Sequence, residues 1–181
     1  MDDRKQRFST LYDAFAHRVY GYALRRLNRS DAEDVVAETF TIVWRRLEDI
    51  PEEPLGWLLA TARRVCANKR RAIMRRDRLE HRARLVAPPP SVDPQSNKGR
   101  SSEVMEGLKR LPKKHREALF LAFWEDLDHR TAGAVLGCSS AAFALRLHRA
   151  RAALRKELGS AGHDYSDAEY ELRLNCEERQ V

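Results

Sequence analysis

Residues 87–102 read Ala-Pro-Pro-Pro-Ser-Val-Asp-Pro-Gln-Ser-Asn-Lys-Gly-Arg-Ser-Ser. Four prolines fix their own backbone angles and remove hydrogen-bond donors, and the small polar residues among them have little to bury. Such a stretch cannot join a core and favours extended, flexible chain. At roughly 3 Å per residue it reaches some tens of ångströms. It therefore cuts the 181 residues into two pieces, each long enough for only a small domain. Glycine is sparse at 8 residues, and 34% of the chain is charged, which favours exposed helices over a sandwich or barrel. The expectation is an all-α protein of two small helical domains joined by a flexible linker. The first domain is placed at 1–86, the linker at 87–102, the second domain at 103–158 and an acidic C-terminal tail at 159–181.

Charge is unevenly spread. The tail holds six acids against Arg173 and Arg179, a net −4, so the formal +7 of the whole chain leaves +11 on residues 1–158. A body this basic points to a polyanionic partner, nucleic acid or an anionic membrane. The N-terminus has no apolar core of signal-peptide type, and no run of about 18 apolar residues occurs, so a cytoplasmic protein without membrane insertion is expected. Cys66, Cys138 and Cys176 lie far apart with no CxxC pair, which argues against a disulfide framework or a zinc site.

Helical periodicity runs through both pieces. Over 8–28, Phe8, Leu11, Tyr12, Phe15, Val19, Tyr22, Ala23 and Leu27 recur at steps of three and four. Ser30 with Glu33 three residues on is a capping-box signature for a second helix reaching about Leu47, with Val35, Val36, Phe40, Val43, Trp44 and Leu47 inward. Pro51 and Pro54 break the chain, and a third helix starts near Leu55. Ten bases against two acids over 63–84 make its later part a strongly cationic surface. After the linker, a short helix precedes Pro112, which suits the first turn of the next helix. A helix over 129–136, a capping Gly137, and a long basic helix from about Ala141 capped by Ser139 or Ser140 make a helix-turn-helix layout.

Catalytic patterns do not occur. There is no GxxxxGK[ST] or GxGxxG loop, and the six histidines form no paired ligand spacing. Neither an enzyme activity, a cofactor nor a metal is expected.

Four segments resemble a known family. Asp31-Ala-Glu-Asp-Val-Val-Ala-Glu-Thr-Phe-Thr-Ile-Val-Trp-Arg-Arg-Leu47 resembles the core-polymerase-binding segment of extracytoplasmic-function sigma factors of the sigma-70 family. Pro54-Leu-Gly-Trp-Leu-Leu-Ala-Thr-Ala-Arg-Arg-Val65, with the basic run behind it, is similar to their −10-recognition segment. Leu111-Pro-Lys-Lys-His-Arg-Glu-Ala-Leu119 resembles the start of their second domain, and Arg146-Leu-His-Arg-Ala-Arg-Ala-Ala-Leu154 the late part of their −35 helix. The resemblance implies a region 2 domain of three to four helices and a region 4 helix-turn-helix domain. It implies binding to core RNA polymerase, at the clamp helices of the largest subunit and the flap of the second largest. It also implies recognition of the −10 and −35 elements of promoter DNA, −10 melting, and an anti-sigma factor as a further partner.

By the same resemblance, Asp31, Asp34, Glu38, Thr39, Ile42 and Arg45 would meet the polymerase. Trp57, Arg63, Arg64, Asn68, Lys69 and Arg71 would meet the −10 element, where the family extrudes a nontemplate base into a pocket, with a core role as the alternative that Trp57's aromatic ring favours. His129, Arg130, Ser140, Ala142, Ala144, Leu145, Arg146, His148 and Arg149 would meet the −35 element. Family members usually carry a basic and a small polar residue where this chain has Ala144 and Leu145, and Glu and Ile where it has Thr131 and Ala132. Ala144 and Leu145 make no bidentate base hydrogen bonds, which leaves two alternatives: contact with thymine methyls, or a weak or unusual −35 readout.

Overall fold

The structure, a computed structural model, describes the backbone of residues 2–83 and 100–159, and side chains except those of 2, 77–83 and 100–103. The expected linker up to residue 99, and the tail after Gly159 with Cys176 and His163, lie outside the described residues. Among the described residues there are seven α-helices, one 3-10 turn and no strand, grouped into two compact units on either side of the proline-rich stretch.

In the first unit, α1 (Asp2–Leu24) packs on α2 (Arg29–Arg45), and both pack on α3 (Pro54–Ala83). The periodic positions build the core. Val19, Tyr22 and Ala23 of α1, Val35, Phe40 and Val43 of α2, and Leu58, Leu59 and Val65 of α3 are all buried in it. A fully buried side chain of this size stabilises the fold by about 1.5–3 kcal/mol. Between α2 and α3, the 3-10 turn Leu47–Asp49 inserts Leu47, and Ile50 follows it into the core.

Two sequence expectations change here. The cap of α2 is Asn28 rather than Ser30: its side chain accepts the Asp31 backbone N–H at 2.9 Å. The helix starts one residue after Asn28, so Ser30 is already in its first turn, and Glu33 pairs instead with Arg29 at 3.3 Å. Tyr12 and Trp44, both placed on inward stripes, are 43% and 39% exposed. They form the rim of an aromatic group with Phe8 and Phe40, with ring centroids 4.8–6.3 Å apart. Arg4 stacks on the Trp44 ring and donates to its carbonyl. The rings pack against one another at the α1–α2 edge, so an apolar period there does not mean full burial.

In the second unit, α7 (Ser140–Gly159) is the central element, contacting α4 (Arg100–Arg110), α5 (Lys113–Phe123) and α6 (His129–Leu136). Residues 100–102, read as the end of the linker, are helical in α4. Pro112 stands just before α5 with extended ψ rather than in its first turn. The helix-turn-helix forms as expected. Gly137 ends α6 in the left-handed conformation at φ 71°, and Ser139 caps α7 by accepting the Ala142 N–H at 3.2 Å. Phe143, Leu147, Ala150 and Leu154 form the buried stripe of α7.

Candidate nucleic-acid interface

The outward face of α2 is one narrow stripe. Asp31, Asp34, Glu38, Ile42 and Arg45 follow at steps of three or four, which brings them to one side of the helix. Asp34, Glu38 and Arg45 are exposed, and Asp31 and Ile42 half-buried. Thr39 does not belong to this stripe. It is fully buried, because its position falls with Val35, Val36 and Val43 on the core side. Its side chain is therefore not part of the exposed stripe with which the resemblance groups it.

Helix α3 divides the six residues assigned to it. Trp57, Arg64, Asn68 and Arg71 are spaced seven, four and three apart and share one side, turned from the Leu58–Leu59–Ala62–Val65–Cys66 core. Asn68 accepts a hydrogen bond from Arg71 at 2.6 Å, which orders the middle of this side. Trp57 is half-buried, and the Arg46 guanidinium stands 5.9 Å from its ring centroid. Arg63 is half-buried on another flank. Lys69 projects toward α2, where its ammonium lies 2.5 Å from Asp34 and 3.7 Å from Asp31. The Asp34 hydrogen bond holds the Lys69 ammonium above the ordinary lysine range, against the opposing effect of burial. The sequence reading keeps Lys69 and these two acids on separate surfaces; the structure brings them together.

On α7 the outward side carries Ala141, Ala142, Leu145, His148 and Arg149, all exposed. Leu145, at 51% exposure, is the large apolar group among them. Ser140 is exposed at the helix start, while Ala144 and Arg146 are half-buried on its flanks. His129 and Arg130 are exposed at the start of α6, and the His129 ring centroid lies 5.7 Å from that of Phe143. Their position is set by Asp128, which caps α6. Asp128 accepts the backbone N–H groups of Arg130 and Thr131 at 2.7 and 2.9 Å and the Thr131 hydroxyl at 2.8 Å. The Thr131 bonds hold the Asp128 carboxyl below the usual carboxylate range. Sequence reasoning missed this cap, although an aspartate directly before a helical run is its signal.

The comparisons with known proteins agree with this layout. Sigma-70 region 2 matches residues 11–76 and sigma-70 region 4 matches residues 101–154. The RNA polymerase sigma-E factor of Streptomyces avermitilis is 32% identical over 147 residues, 81% of each chain. This chain is an extracytoplasmic-function sigma factor of the sigma-70 family. The ECF RNA polymerase sigma factor SigE of Mycolicibacterium smegmatis is 33% identical over 153 residues, 79% of this chain and 58% of that one. Among solved structures, the sigma factor RpoE crystallised with the anti-sigma factor NepR from Bartonella quintana shares the fold. Its TM-score is 0.57 at 21% identity, over 88% of this chain and 98% of that chain.

The region 2 match thus falls on the first unit of this sigma factor, and the region 4 match on the second. Its relatives are sigma factors, which work with RNA polymerase and are not enzymes. Among the described residues, no group of three or more His, Cys, Asp or Glu side chains is placed to hold a metal ion, and no helix is long and apolar enough to cross a membrane.

Proposed function

We propose that this sigma factor docks on the polymerase clamp helices through the outer stripe of α2, captures the −10 element with the outer side of α3, and reads the −35 element with α7. In this reading the polymerase meets Asp31, Asp34, Glu38, Ile42 and Arg45. Trp57, Arg64, Asn68 and Arg71 hold the opened nontemplate strand, pairing one aromatic ring with cations as single-strand sites do. Such contacts offset the few kcal/mol that extruding a base costs and so favour −10 melting. Ala142, Leu145, His148 and Arg149 face the −35 major groove, with Arg130 and Ser140 beside them on phosphates.

The observation that carries the reading is the separation of an acidic stripe on α2 from a cationic, aromatic side on α3 within one small unit. A protein partner and a nucleic acid need opposite charge, and the two faces supply both. The proline-rich stretch before α4 joins the −10 and −35 readers and, with the flap-docking second domain, completes the proposed holoenzyme. An anti-sigma factor is a further proposed partner, in keeping with the complex in which the RpoE chain was crystallised. The proposed compartment is the cytoplasm.

Photo-crosslinking within the holoenzyme tests the assignment. Reactive nucleotides in the nontemplate −10 strand should label α3, and those in −35 duplex should label α7. Labelling of α7 by the −10 strand, or of neither helix by either element, would refute it.

A further inference from the structure

We infer that Lys69 belongs to the polymerase-docking surface and not to the DNA surface, as a positioning residue that holds the Asp31 and Asp34 carboxylates in one array. The inference rests on the reading of α2 as the docking helix. Three observations carry it. Lys69 points away from the side of α3 that holds Arg64, Asn68 and Arg71, and toward α2. Its ammonium is within 4 Å of both acids, at 2.5 Å from Asp34 and 3.7 Å from Asp31. Its side chain and that of Asp31 are sheltered, at 22% and 23% exposure, while Asp34 stays 62% exposed.

Geometry then assigns the roles. Lys69 occupies one oxygen of Asp34, Oδ2, and leaves Oδ1 and the open side of the carboxylate for a cation from the polymerase. An aspartate already held by a neighbour loses less rotamer freedom when a partner arrives, so affinity rises without a new contact. Lys69 also ties α3 to the start of α2, so the docking stripe and the DNA side are set relative to each other by a polar clamp 35 residues apart in sequence. Arg71 is the contrasting residue: it is exposed on the DNA side and donates to Asn68 there.

The test uses the full chain with purified core polymerase and, separately, an oligothymidylate probe. Lys69→Gln should weaken core binding about three- to ten-fold, the range expected when side-chain ordering at the interface is no longer provided in advance. Lys69→Arg, which keeps a cation at the same place, should restore most of it. On oligothymidylate, Lys69→Gln should leave the slope of log affinity against log salt unchanged, whereas Arg71→Gln should lower it by about 0.7, the value for one lost single-strand phosphate contact. Three results would overturn the inference: core binding by Lys69→Gln equal to or tighter than the parent, no rescue by Lys69→Arg, or a reduced salt slope in Lys69→Gln. A parent chain that binds no core polymerase at all refutes the docking reading itself. Unchanged oligothymidylate affinity and salt slope in Lys69→Gln, beside weakened core binding, separate a positioning role from a general loss of folding.

Discussion

Asp128 holds Thr131 by two bonds at once, accepting its backbone N–H at 2.9 Å and its hydroxyl at 2.8 Å. This pair starts α6 and so sets the angle at which the helix-turn-helix presents His129 and Arg130. Replacing Asp128 with Ala should destabilise the second unit by about 1 kcal/mol, the usual cost of losing a helix N-cap. The cap also carries a pH signature. Its folded carboxyl lies below the ordinary range, so its contribution is fully present above that range and is lost as pH falls through the lowered value. Denaturation curves of the parent should weaken in acid more than those of Asp128→Asn, which keeps a capping oxygen that does not titrate. Parallel pH profiles would contradict this.

Gly133 is a second point of constraint in the same turn. A Cβ built there would stand 2.8 Å from the Cys138 carbonyl oxygen, a backbone atom that cannot swing aside. Gly133→Ala should therefore force α6 and the following turn apart, costing about 1–3 kcal/mol as overpacking does. Gly137 differs: nothing lies within 4 Å of its Cβ position, but its φ is 71°. Gly137→Ala should cost about 1–2 kcal/mol from backbone conformation alone. Thermal melts measure both, and a crystal structure of Gly133→Ala should show the turn displaced while Gly137→Ala keeps its packing.

Phe143 and Leu145 are two residues apart and lie on opposite sides of α7, 0% and 51% exposed. Phe143→Ala should cost about 3–5 kcal/mol of stability, as truncation of a buried aromatic does. Leu145→Ala should change stability by less than about 0.5 kcal/mol, as surface substitutions do. The same Leu145 variant should alter the preference for thymine in the −35 element, because a methyl-to-methyl contact is the chemistry available to it. A −35 selection experiment with unchanged base preference would count against groove contact by Leu145.

Charge separates the two proposed surfaces. Glu38 is exposed on the α2 stripe and Arg149 on the outward side of α7. Glu38→Lys should weaken core binding while leaving duplex affinity of the free protein intact. Arg149→Ala should lower −35-dependent initiation about ten-fold and leave core binding unchanged, a loss in the range of one good base or phosphate contact. Asp34→Lys is the less informative reversal, since it would also set two ammonium groups together at Lys69. Equal loss of both activities in both variants would contradict the division.

Much of this architecture was legible from residue spacing. The proline-rich divider, the three helices before it and the Gly137 turn follow from periodicity and backbone chemistry, and Phe143 from its place on the Leu147 stripe. What sequence did not reveal depends on contacts between distant positions. The resemblance groups Thr39 with Glu38 among the docking positions, but a one-residue step on a helix is a 100° turn, and here that turn points inward. Tyr12 and Trp44 fit an apolar period yet end at an edge, where only the pairing of α1 with α2 decides exposure. Lys69 reads as one more base in a basic run; its bond to Asp34 is visible only once α3 lies along α2.

Initiation by purified core polymerase on a promoter library measures the central claim most directly. Core alone should give no specific start, and core with this chain should initiate at one promoter class carrying both a −35 and a −10 element, with variants of α3 shifting the −10 preference and variants of α7 the −35 preference. If this chain with core polymerase starts transcription at no promoter, while the chain alone binds duplex DNA tightly, the sigma-factor account is contradicted.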